Sequence, residues 1–262
     1  MSRRWADQPA PKLAGLLSER SILVQPIGAI EQHGPHLPLS TDVLVPEAVG
    51  AAAVDRAAAE GLDVWLLPTL AVSKSDEHAW APGTLWLSAE TLLAVLHDLG
   101  RSIAATAARK IIFLNGHGGN TALLQVANRE LRRVHDLQPF TMPAGVQRAG
   151  SGRDGEPDEL GFGIHAGWSE TSVVLHLAPH LVDAAAFARA VPERLADHRL
   201  LGFNGRPVTF GWLSDDFDAS GVIGDPTGSS AEAGARLFDE GVDFAVEALH
   251  EIDRFPLAPP RA

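Results

Sequence analysis

Read as a succession of apolar and polar positions, the chain alternates short apolar runs with longer amphipathic ones. Residues 22–27 (ILVQPI), 64–67 (VWLL) and 111–114 (IIFL) are mostly apolar and partly β-branched, the pattern of strands covered on both faces. Residues 46–60 are rich in alanine and other good helix formers. Ser88 stands where a helix N-cap belongs, and Leu92, Leu96, Leu99 and Ile103 follow it on one helical face. Residues 121–137 repeat that spacing. Ser229-Ser-Ala-Glu232 reads as a capping box opening a last helix to about Leu249, with residues 221–227 as a turn-rich lead-in.

This strand-loop-helix alternation predicts an α/β fold, a three-layer α/β/α sandwich with a mostly parallel central sheet. At 262 residues the chain is long enough for one such domain, and no linker or internal repeat divides it. Residues 1–15 and 256–262 read as tails. Residues 144–163, rich in Gly, Pro and charge and without any period, read as a long loop near the site or an ordered lid. In open parallel sheets, ligands gather beyond the carboxyl ends of the strands, so candidate chemistry belongs in the segments after residues 27 and 114.

Composition narrows the function. A net charge of −12 argues against a nucleic-acid partner, which would be met by a basic face. The chain has no cysteine, which excludes disulfides, thiolate ligands and thiol nucleophiles and fits a reducing cytoplasm. No signal-peptide layout opens the sequence, and no apolar span is long enough for a membrane, so the expectation is a cytoplasmic protein.

The segment after the first strand, Gly28-Ala-Ile-Glu-Gln-His-Gly-Pro-His-Leu-Pro-Leu-Ser-Thr-Asp42, concentrates Glu31, His33, His36 and Asp42. Carboxylates and imidazoles suit borderline and hard divalent cations, and residues two apart in extended chain project to one side. Asp42 has two oxygens with which to bridge a pair of ions, while Glu31 and His33 would each serve one. After the later strand, the glycines of Asn115-Gly-His-Gly-Gly-Asn120 allow a tight turn that leaves His117 unshielded. A phosphate loop is the rival reading of that turn, but it has neither the Rossmann glycine spacing nor a P-loop lysine. His165-Ala-Gly-Trp-Ser-Glu-Thr-Ser172 adds Glu170 as a further ligand candidate and His165 as a proton carrier to a leaving nitrogen. His165 and Glu170 are the catalytic candidates, and His78 and Trp168 are candidate pocket-lining residues. No Gly-x-Ser-x-Gly elbow is present, which leaves a metal-activated water as the favoured nucleophile.

Glu-Gln-His-Gly-x-His with its downstream Asp, the Asn-Gly-His turn and the late His-x-Gly-x-x-Glu-Thr-Ser occur here in one order, and together they resemble the creatininase (creatinine amidohydrolase) family. The resemblance spans roughly residues 22–227. It implies that Glu31, Asp42 and His117 hold one metal, and that His33 and the bridging Asp42 hold a second. Creatinine-hydrolysing members carry a carboxylate ligand two residues after the His of the turn, where this chain has Gly119. Asn-Gly-His-Gly-Gly-Asn resembles instead the branch with formylamidopyrimidine deformylases and mycofactocin-precursor peptidases, in which Glu170 would supply the ligand. Many members of that branch have Glu where this chain has Trp168. The family further implies a homo-oligomer, often a hexamer.

The expected enzyme is therefore a binuclear metal-dependent amidohydrolase, acting on a small-molecule amide such as a cyclic amide or formamide rather than on ordinary peptide bonds. Two divalent ions per chain are expected, zinc first, with manganese or iron as alternatives. A peptidase acting on a short modified peptide is the alternative within the hydrolases, and a non-catalytic metal-binding regulatory protein the alternative from another class.

Overall fold

A computed structural model describes residues 2–145, 148–153, 155–203 and 206–256. Four parallel strands form the sheet in the order β2-β1-β3-β4: β1 is Ile22–Ile27, β2 Val64–Leu66, β3 Lys110–Asn115 and β4 Gln138–Pro143. Side chains alternate across it. Ile22, Val24, Val64, Leu66, Ile112 and Leu114 meet helices α2 (Thr41–Ala59) and α6 (Ala231–Arg254) on one face. Leu23, Ile27, Trp65, Ile111 and Phe113 meet α1 (Ala10–Leu16), α3 (Ala89–Ala104) and α4 (Thr121–His135) on the other. Each fully buried side chain of this size contributes about 1.5–3 kcal/mol, so two closed apolar layers explain why the strand sequences carry almost no polar position. The α/β/α sandwich expected from the sequence is the fold found. Among the described residues no helix is long and apolar enough to cross a membrane.

Several boundaries differ from the sequence reading. Strand β4, which the apolar runs did not announce, contains Pro139 and Pro143. It lies at the sheet edge, where a missing N–H faces no neighbour. Helix α2 begins at Thr41 rather than at Pro46: the first turn needs no internal N–H bonds, so a proline slightly further in forfeits only one. This extension puts Asp42 in the helix's first turn. Ser88 does cap α3, accepting from Thr91 N. The last helix is capped by Ser230, which accepts from Ala233 N, so Glu232 falls one position short of completing a capping box. Residues 1–15, read as a tail, are ordered in part as α1. Leu13 is buried there, the Arg3 carbonyl accepts from Leu66 N at 2.9 Å beside β2, and Arg4 makes a bidentate contact with Asp55. These contacts cover an edge that would otherwise be exposed. At the other end, residues 257–262 of the expected tail lie outside the described residues.

Lys110 opens β3 and is 3% exposed, yet no carboxylate pairs with its ammonium among its hydrogen bonds. Its Nζ donates to the carbonyls of Ile252 (2.6 Å), Asp253 (3.1 Å) and Phe255 (2.9 Å), satisfying the open end of α6. Lys110→Met should cost about 2–4 kcal/mol, because bonds from a charged donor are worth about 1.5–3 kcal/mol each and do not fully add. Thermal unfolding followed by circular dichroism checks this, and a midpoint shift below about 2 °C would mean that water serves those carbonyls equally well.

Candidate metal centre

The ends of β1 and β3 deliver the acidic and imidazole groups to one place. After β1 the chain makes a compact excursion closed by Glu31 N donating to the Leu39 carbonyl (3.0 Å), then enters α2 with Asp42. After β3, Asn115 braces the turn: its Nδ2 donates to the His117 carbonyl at 2.8 Å and its Oδ1 accepts from His117 N at 3.3 Å. His165 is fixed by a backbone bridge to Ile223, in the stretch read as the lead-in to the last helix. Glu170 sits in the first turn of α5 (Trp168–Leu177), where its Oε2 accepts from Ala166 N at 2.6 Å.

Asp42 stands at the middle. Its Oδ2 is 2.9 Å from His117 Nδ1, which is also 3.1 Å from Glu31 Oε2. Its Oδ1 is 3.2 Å from His33 Nε2, which is 3.9 Å from Glu170 Oε2. The ligand atoms of Glu31, Asp42 and His117 all lie within 4.8 Å of one another, and so do those of His33, Asp42 and Glu170. A third set, Glu31, His33 and His165, meets the same limit. Each set is close enough for one ion to gather. All five residues expected as ligands are thus brought together: Asp42 joins the first two sets, and Glu31 and His33 each link one of these to the third.

Electrostatics favours positive charge here. Burial alone would lower the pKa of His33, but Asp42, with Glu170 and Glu31 behind it, pushes it up to about 9. His117 is likewise raised well above its ordinary value, against burial, by Glu31 and Asp42. Asp42 is held well below the usual carboxylate range: burial opposes this, and His33 and His117 prevail. Glu170 is pushed up to about 7, first by burial and then by the neighbouring Asp42 charge. Buried carboxylates this close need a compensating cation. Glu31 Oε1 and His33 Nε2 are buried without any hydrogen-bond partner, although both are good ligand atoms aimed into the cluster. The His33 ring is already set for an ion, since its Nδ1 lies 3.1 Å from the Glu31 carbonyl and would carry the proton, leaving Nε2 with its lone pair. The donor set, two oxygens and a nitrogen in each of the two groups sharing Asp42, fits divalent zinc, manganese or iron.

The remaining candidates divide. His165 lies beside the cluster, its Nε2 2.8 Å from the Gln32 carbonyl and its Nδ1 3.7 Å from Glu31 Oε1. Burial and the adjacent His33 hold its pKa well below the ordinary value. His78 lines the cavity, with Nδ1 3.0 Å from Gln32 Nε2 and Nε2 3.4 Å from Glu31 Oε1 without an aligned bond to it. His36 turns away, with Nε2 on the Ala166 carbonyl and Thr171 Oγ1, both at 3.1 Å. Trp168, expected in the pocket wall, is not in it. Helix α5 directs the indole toward Val173, Ala233 and Leu237 at the α6 contact, and Arg148 stacks over its ring.

A cavity of about 740 Å³ opens above the cluster. Its far wall is Phe203, Phe210 and Trp212, from the irregular stretch between α5 and α6, whose rings pack edge to face around Phe217. No periodic pattern announced that wall. Sequence reasoning also missed Glu77, which lines the cavity, and Glu159, which is fully buried within the stretch read as a loop or lid. The Glu159 carboxylate accepts from the backbone N–H groups of Gly150, Trp168 and Asp225, tying three segments behind the site. A lone Glu among loop residues carries no signal for such a role.

The family model for creatininase, described as creatinine amidohydrolase, matches residues 6–249. A mycofactocin precursor peptide peptidase from Mycobacterium ulcerans (strain Agy99) is 38% identical over 238 residues, covering 87% of this chain and 84% of its own. A creatinine amidohydrolase from Pseudomonas putida is 29% identical over 268 residues, covering 94% of each chain. A solved structure of a manganese creatininase superposes with a TM-score of 0.73 at 25% identity, covering 96% of this chain and 98% of that one.

Proposed function

Because this chain belongs to the creatininase family, we propose that it is a metal-dependent amidohydrolase that cleaves an amide C–N bond in a short peptide. The observation that carries this reading is Asp42 between two ligand sets at the carboxyl end of the parallel sheet, under a cavity. Glu31, Asp42 and His117 would hold one divalent ion, and His33, Asp42 and Glu170 the other. When bound, such ions supply Lewis acidity, making water a nucleophile near neutral pH and polarising the amide carbonyl. His165, kept neutral beside Glu31, would accept a proton and return it to the departing nitrogen. Phe203, Phe210 and Trp212 would seat the apolar parts of the substrate.

Two facts favour a peptide over a small cyclic amide. A cavity of about 740 Å³ falls in the range that suits drug-sized ligands and exceeds what a five-membered ring would fill. The relatives named as peptide peptidases are also nearer in sequence, at 38% against 29% for the creatinine amidohydrolase.

The test is turnover by zinc- or manganese-loaded protein against short peptides, creatinine and formamides, read by mass spectrometry. Peptide cleavage is expected. His117→Ala should reduce it by at least about 100-fold, since even outer-shell partners of a metal are worth 10- to 100-fold. Creatinine or formamide turnover without peptide cleavage would move the assignment to small amides. A loaded protein inert toward all three classes would leave a metal-binding protein without hydrolase activity.

A further inference from the structure

Glu77 plays no part in the ion sets above, yet its carboxylate enters the site from the loop between β2 and α3. Its Oε1 lies 3.2 Å from His117 Nε2, with the side chain only 12% exposed. The other ring nitrogen, Nδ1, is the one turned toward Glu31 and Asp42. His117 Nε2 is buried and makes no aligned hydrogen bond. Glu77 is at hydrogen-bond distance from it but off the N–H direction.

Two contacts deliver the carboxylate there. Lys74 Nζ is 3.3 Å from Glu77 Oε2, and Lys74 N donates to Asn120 Oδ1 at 3.3 Å, which ties this loop to the turn carrying His117. The space for the carboxylate exists because residue 119 has no side chain. A Cβ at Gly119 would overlap Glu77 Oε1 and His117 Nε2 and stand 2.9 Å from the Glu77 carboxyl carbon. Gly119 is not among the positive-φ residues, so the backbone conformation does not itself call for glycine. Room for the Glu77 carboxylate and the His117 ring does.

We infer that Glu77 is a positioning residue for His117, its carboxylate poised 3.2 Å from Nε2 to take that N–H when Nδ1 turns to the ion, and that glycine at 119 is what admits it. The acceptor of the second N–H sets the tautomer and direction of a histidine ligand. The inference rests on the reading of His117 as an ion ligand.

Cobalt(II) is a suitable probe, because its visible ligand-field bands report the ligand set while competition with a chromophoric chelator gives its affinity. Glu77→Ala and Gly119→Ala should each weaken cobalt binding by about 10- to 100-fold and shift the bands. The double variant should lose no more than either single one. Glu77→Gln, whose amide oxygen still accepts, should keep most of the affinity. Wild-type affinity in Glu77→Ala, or losses at 77 and 119 that multiply in the double variant, would overturn the inference while leaving the ion centre standing. If Gly119→Ala folds poorly by circular dichroism, the Glu77→Ala and Glu77→Gln pair decides alone. A wild-type protein that binds no cobalt would overturn both the inference and the ion centre.

Discussion

Asp42→Asn is expected to lower kcat/KM by at least about 1,000-fold, equivalent to roughly 4 kcal/mol of lost transition-state stabilisation, and to reduce the ions retained per chain. The reason is geometric. Asp42 Oδ1 lies 3.2 Å from His33 Nε2 and Oδ2 lies 2.9 Å from His117 Nδ1, so each oxygen serves a different ligand set. No other residue belongs to both sets. An amide at this position offers one poorer acceptor and one N–H₂ that repels a cation, and it removes the negative charge that draws positive charge to both sides. Elemental analysis and steady-state kinetics on the same preparation test the idea, with circular dichroism to show that the fold persists. Full ion occupancy together with activity within about tenfold of wild type would remove Asp42 from the centre of the scheme.

A large effect on stability is also expected from Gly234→Ala, in the first turns of α6. A Cβ there would overlap the Ser172 carbonyl oxygen of α5 and lie 2.9 Å from His176 Cβ. Alanine gains about 1 kcal/mol in helix propensity over glycine. Against this, forcing a methyl into backbone contact costs about 3 kcal/mol or more, since a carbonyl in a packed helix cannot swing aside as a side chain does. The net loss of about 2–3 kcal/mol should lower the melting midpoint by roughly 5–10 °C. Because α5 carries Glu170, ion binding should weaken in the same variant. An unchanged midpoint would show that the two helices separate at little cost.

The parts of the molecule that were legible in the sequence are those whose cause is local. β1, β3, α3 and α4 follow from apolar periodicity and a serine cap, because each strand is buried on both faces and each of those helices on one. Glu31, His33, Asp42, His117 and Glu170 were legible as ligand-type residues because they cluster in three short segments beside apolar runs, and the topology then brings their side chains together. What escaped depends on distant neighbours. Strand β4 could be read only with knowledge that it lies at an edge, where its prolines are harmless. Trp168 looked like a pocket residue from its place in the motif, and only the crossing of α5 and α6 shows that it faces the helix contact. Glu77 and Glu159 gain their roles from turns far away in sequence, to which a lone glutamate gives no clue.

The irregular chain between α5 and α6 supplies the aromatic wall of the cavity, and its rings brace one another rather than the sheet. The floor of acidic and imidazole groups stands on the strand ends and on α2 and α5. Reaction chemistry and choice of substrate would then reside on separate stretches of polypeptide. A lineage built this way can exchange what it recognises by rewriting one surface insert, while the machinery that breaks the bond is inherited intact.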